Sequence, residues 1–129
     1  MTKVIAWIDE DDIIDPVVRP LTRAGYKIER FRSLAHAKKA KTQILESDLI
    51  LLDLILDPHR PTDRYAGLSF LRELVDNQEH IPPVVVFTVV TDEQVLKDLN
   101  KLGVAAIVQK PSAPSHLKEV VEKILIDPS

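Results

Sequence analysis

The stretch Asp48-Leu49-Ile50-Leu51-Leu52-Asp53 decides the fold. Its apolar run has strand length, and a run without polar alternation belongs to a strand buried on both faces. Burial of that kind is found in parallel sheets with helices packed on either side. Asp53 then stands where the strand leaves the sheet, and in open α/β sheets ligands bind just beyond that edge.

Outward from this run, Val84 to Phe87 repeats the pattern, and Val4 to Ile8, Tyr26 to Phe31 and Val104 to Val108 complete a set of five predicted strands. The alternating, charged Tyr26-Lys27-Ile28-Glu29 suits a sheet edge, which leaves the first, third and fourth strands central. Helical spacing lies between them. Leu68, Leu71, Leu74 and Val75 form one stripe, and Leu117, Val120, Val121 and Ile124 another. Ser33 can cap a single helix over Leu34 to Leu45. Thr91-Asp92-Glu93-Gln94 has the pattern of a capping box before a helix burying Val95, Leu99 and Leu102, which Gly103 ends. The first helix contains Pro16 and Pro20 and is expected to be kinked or to start late. Trp7, on a central strand, is expected in the core.

The 129 residues are expected to form one domain, 1–129, since this length suits a single core. With 45% hydrophobic and 29% charged residues, the composition is that of an ordinary soluble domain. The absence of cysteine removes disulfides and thiolate chemistry, and no signal pattern or long apolar run is present, so a cytoplasmic location is expected. A net charge of −3 gives no overall attraction to nucleic acid or to a membrane.

Reactive groups follow four of the strands. Asp9 and Glu10 follow the first, with Asp11 and Asp12 beyond them; Asp53 follows the third, Thr88 the fourth, and Lys110-Pro111 the fifth. Crowded carboxylates raise one another's pKa unless a cation sits among them, and hard oxygen donors select Mg²⁺ or Mn²⁺. Such an ion keeps positions for phosphate oxygens, which makes Asp53 a candidate nucleophile, with Lys110 neutralising charge and Thr88 donating to a phosphoryl oxygen. Asp11 and Asp12 equally suit plain helix N-terminal charges. His36, His59, His80 and His116 lack metal-ligand spacing and are expected at exposed positions.

Together, Ile5-Ala6-Trp7-Ile8-Asp9-Glu10, Asp48 to Asp53, Phe87-Thr88 and Leu102-Gly103 through Lys110-Pro111 resemble the receiver domains of two-component response regulators. The resemblance implies a flavodoxin-like, doubly wound five-stranded parallel sheet of order 2-1-3-4-5. It implies Mg²⁺-dependent transfer of a phosphoryl group to Asp53 from a histidine kinase or a histidine phosphotransfer protein, with slow self-dephosphorylation and no further enzyme activity. By position it makes Asp9, Glu10, Asp53 and the Ile55 backbone carbonyl the metal ligands, and Lys110-Pro111 the family's often cis peptide. A stand-alone signalling domain is expected, acting by contact with a downstream protein or as a homodimer.

Three departures qualify the match. Val89 occupies a position that is usually small and is expected to narrow access; Ile107 stands where an aromatic switch residue is usual; and Asp57 to Ala66 resembles an insertion that delays Gly67 and suits a lid carrying Arg60, Arg64 and Tyr65. They motivate the alternative of a degenerate receiver serving as a phosphorylation-independent interaction module. An aspartyl-phosphate hydrolase would carry an acid at the position of Ile55, and a nucleotide fold would need a glycine-rich loop that three glycines do not supply.

Overall fold

The computed structural model describes residues 2–10, 15–56 and 64–126. Their elements are β1 (Val4–Ile8), α1 (Asp15–Arg23), β2 (Lys27–Phe31), α2 (Leu34–Lys39), α3 (Lys41–Leu45), β3 (Leu49–Leu52), α4 (Ala66–Asn77), β4 (Val84–Thr88), α5 (Glu93–Lys101), β5 (Ala106–Gln109) and α6 (Pro114–Ile126). All strand pairs are parallel, in the order β2-β1-β3-β4-β5, which is the flavodoxin-like arrangement the sequence implies.

The period of two along a strand divides the core. Ile50 and Leu52 of β3 face one layer, packed with Ala37 of α2, Ile44 of α3, Leu71 of α4 and Leu99 of α5. Leu49 and Leu51 face the other, with Leu21 of α1 and Leu117 and Val121 of α6. Every residue of β3 and β4 is buried because each strand has helices on both faces. Trp7 joins the second layer at 2% exposure, as expected of a central strand.

Several boundaries differ from the sequence reading. The single helix over Leu34 to Leu45 is two short helices broken at Ala40, whose φ and ψ are −107° and 22°. No proline or glycine stands there. The Ala40 N–H is shared between the His36 and Ala37 carbonyls, and beyond the break Lys41 pairs with Glu73 of α4 while Ile44 is buried. The second helix is thus directed by packing on α4 and the core, which local propensity does not encode.

The cap of α5 is Asp92 and not Thr91: the Asp92 carboxylate accepts from the N–H groups of Gln94 and Val95. A carboxylate at this position also complements the helix dipole. Gly103, at φ +80°, ends the helix as expected, and Val104 N–H closes back onto the Leu99 carbonyl, so β5 begins at Ala106 and not at Val104. In α1, Pro16 sits in the first turn, where a missing N–H costs nothing, and Pro20 lies inside the helix. Residues 11–14, and with them Asp11 and Asp12, lie outside the described residues, as do 57–63 with His59 and Arg60. His36, His80 and His116 are exposed, as expected.

Candidate functional site

The sheet ladder runs one residue past the strands and so aligns the reactive groups on one rim. Asp9 N–H donates to the Phe31 carbonyl, Asp53 N–H to the Ile8 carbonyl, and Lys110 N–H to the Thr88 carbonyl. Backbone register therefore sets where each side chain starts. Lys110 then crosses the rim: its ammonium lies 2.9 Å from Asp9 Oδ2 and 3.2 Å from Asp53 Oδ2, and 5.1 Å from the centre of the Phe87 ring. The Lys110–Pro111 peptide is cis.

Asp9 is 1% exposed, Asp53 8% and Thr88 0%. Buried carboxylates persist as ions only with close compensation, and Lys110 supplies it to two of them. The other Asp53 oxygen, Oδ1, accepts from Ile55 N–H at 3.3 Å. Ile55 thus touches the Asp53 carboxylate through its amide, a contact that no sequence signal marks. Thr88 Oγ1 accepts from Val90 N–H, and the Gln109 carboxamide donates to the Val90 carbonyl at 2.9 Å, tying the segment after β4 to the end of β5. Glu10 follows Asp9 on the same rim and is partly exposed.

In the sequence, Gly67 stands out only as a late glycine. Its N–H donates to the Leu54 carbonyl, and a Cβ built on it would lie 2.1 Å from the Asp53 carbonyl oxygen and 2.7 Å from Leu54 Cα. Only glycine lets the start of α4 close onto the backbone of Asp53 and Leu54. Val89 is 56% exposed, so its side chain faces solvent and is not packed into the site. Ile107 is partly buried against the first core layer. Of the predicted lid, only Arg64, Tyr65 and Ala66 are described, with the Arg64 guanidinium 5.5 Å from the Tyr65 ring centre.

The hard oxygen donors Asp9, Glu10 and Asp53 suit Mg²⁺, which needs only one or two protein carboxylates and completes its shell with water and phosphate oxygens. Among the described residues, no group of three or more Asp, Glu, His or Cys side chains is placed to hold a metal ion by itself.

This rim, on this sheet order, defines a class. The response regulator receiver domain family matches residues 5–122, and the chain belongs to that family. Three solved structures with the same fold illustrate the likeness. A two-component response regulator from Clostridium difficile has 22% identity and TM-score 0.80, with 99% of each chain covered. A CheY-like receiver domain protein from Methanospirillum hungatei JF-1 has 21% identity and TM-score 0.78, covering 98% of this chain and 96% of that one. A response regulator protein from Burkholderia pseudomallei, solved with a phosphorylated aspartic acid, a calcium ion and citrate, has 22% identity and TM-score 0.71, covering 98% of this chain and 70% of that one. No curated protein matches the sequence.

Proposed function

We propose that residues 1–129 work as one phosphoacceptor unit in which Asp53 receives a phosphoryl group from a phosphohistidine of a kinase or phosphotransfer protein. The observation that carries this reading is the Lys110 ammonium held between Asp9 and Asp53. An Asp53 carboxylate oxygen attacks phosphorus in line; the O–P bond forms as the P–N bond breaks, and the leaving imidazole takes its proton from solvent. Lys110 offsets the negative charge gathering at Asp53, and Ile55 N–H holds the Oδ1 oxygen in place. Asp9, Glu10, Asp53 and the Ile55 carbonyl would hold Mg²⁺, which supplies charge neutralisation at the phosphoryl oxygens. The phosphorylated aspartic acid and divalent cation in the Burkholderia pseudomallei relative support the same chemistry here.

Thr88 is poised to report the change. Its hydroxyl oxygen accepts from Val90 N–H, leaving its proton to donate to a phosphoryl oxygen. Phosphorylation adds up to about two negative charges at the rim, enough to re-form hydrogen bonds along the β4–α5 segment and change the surface offered to a downstream protein or a second copy.

Intact mass after incubation with Mg²⁺ and a small phosphodonor tests this. Wild type should gain a labile phosphate that Asp53→Asn lacks. An adduct that persists in Asp53→Asn, or none from several donors, would overturn it, the latter in favour of a phosphorylation-independent interaction module.

A further inference from the structure

A groove of about 410 Å³ opens on the α1 side of the sheet, where α1 meets the edge strand β2. Trp7 and Ile28 give it an apolar wall, Thr22 a hydroxyl, and Arg19, Arg30 and Arg32 a concentration of positive charge in a chain whose net charge is −3. Among the described residues, no aspartate or glutamate lines it. Register places Arg30 beside Trp7 on neighbouring strands, and the guanidinium carbon stands 4.2 Å from the indole centre. The contact holds the Arg30 charge against the indole at the groove, and a guanidinium is the side chain whose geometry suits bidentate contact with an oxyanion. Arg30 and Arg32 keep further interactions of their own, so a ligand would share their charge with those partners.

A second observation comes from Trp7 itself. It is 2% exposed, and its indole Nε1 has no hydrogen-bond partner among the described residues. A buried indole N–H normally finds an acceptor, and Trp7 lines this groove. The groove falls in the size range of small-molecule sites, roughly 300–1,000 Å³. We propose that it binds a small phosphate-bearing molecule whose oxygens meet the arginines and whose remainder lies along the apolar wall. Nothing in this proposal depends on phosphorylation of Asp53.

Trp7 is the only tryptophan, so its emission and its indole N–H resonance can be followed without overlap from another indole. Titration in magnesium-free, low-salt buffer should give a saturable shift with ADP, with inorganic pyrophosphate, or with both. Tighter binding of ADP marks a nucleotide as the source, and equal binding marks inorganic polyphosphate. Arg19→Gln and Arg32→Gln, at exposed positions that leave the core intact, should each weaken binding roughly tenfold or more, whereas Asp53→Asn should bind as wild type. No shift with either phosphate at millimolar concentration, the same shift with adenosine, or a shift retained in both arginine variants would sink the proposal.

Discussion

The Lys110 ammonium lies within 3.2 Å of Asp53 Oδ2 and 2.9 Å of Asp9 Oδ2, so one cation serves two carboxylates that water barely reaches. The three residues directly follow β5, β3 and β1, and no two of them are close in sequence. Any change at Lys110 therefore acts on the charge balance of the whole rim.

Replacing Lys110 with Met should destabilise the protein by about 3 kcal/mol, near the lower end for removing one partner from a buried ion pair because the rim opens to solvent. It should also make the fold more dependent on a divalent cation, since the remaining carboxylates then lack that ammonium. Thermal melts with and without Mg²⁺ check this: the ion should raise the melting temperature of Lys110→Met by more than that of wild type. An equal or smaller rise contradicts it.

Gly67→Ala places a methyl group 2.1 Å from the Asp53 carbonyl oxygen, against backbone that has little freedom to move. A cost of about 1–3 kcal/mol is expected, as for overpacking elsewhere. Urea denaturation measures that cost, and the phosphate uptake of the folded variant should fall because Asp53 is displaced with its backbone. A fully stable variant with normal uptake would show that α4 relaxes freely.

Gln109→Leu removes the carboxamide that holds the Val90 carbonyl. The loss should be about 0.5–1.5 kcal/mol, with faster amide exchange confined to the segment after Thr88. Unchanged exchange at Val90 and Thr91 would mean that Thr88 alone fixes this segment.

Glu73 provides a pH test. The Lys41 side chain donates to it and holds its carboxyl below the usual carboxylate value. A lowered folded-state pKa stabilises the fold above the unfolded value of about 4.3, and that stabilisation disappears as pH falls through the lower folded value. The two side chains are 35% and 38% exposed, so the contribution should stay below about 1 kcal/mol. Glu73→Gln should melt slightly below wild type at neutral pH, with the gap closing as pH falls below the ordinary carboxylate range. A constant gap across that range would assign the effect to packing instead.

Much of the fold was legible in the sequence because each segment carried its own signal. The apolar Leu49 to Leu52 announced a strand buried on both sides, and Gly103 announced the end of a helix. Ala40 carried no such mark: its break answers contacts with α4 and the core that are distant in sequence. The capping-box pattern pointed to Thr91, and only backbone geometry moved the cap to Asp92.

At the site, the amino-acid order by itself determined which chemical groups follow which strands, because strand periodicity and chain direction put Asp9, Asp53, Thr88 and Lys110 at carboxyl ends. Tertiary structure decided the distances. Parallel register aligned the strand ends, and burial made a shared ammonium necessary for two carboxylates. The same tertiary contacts revealed that Gly67 must lack a side chain where α4 meets Asp53, a requirement that arises only when residues 14 positions apart are pressed together.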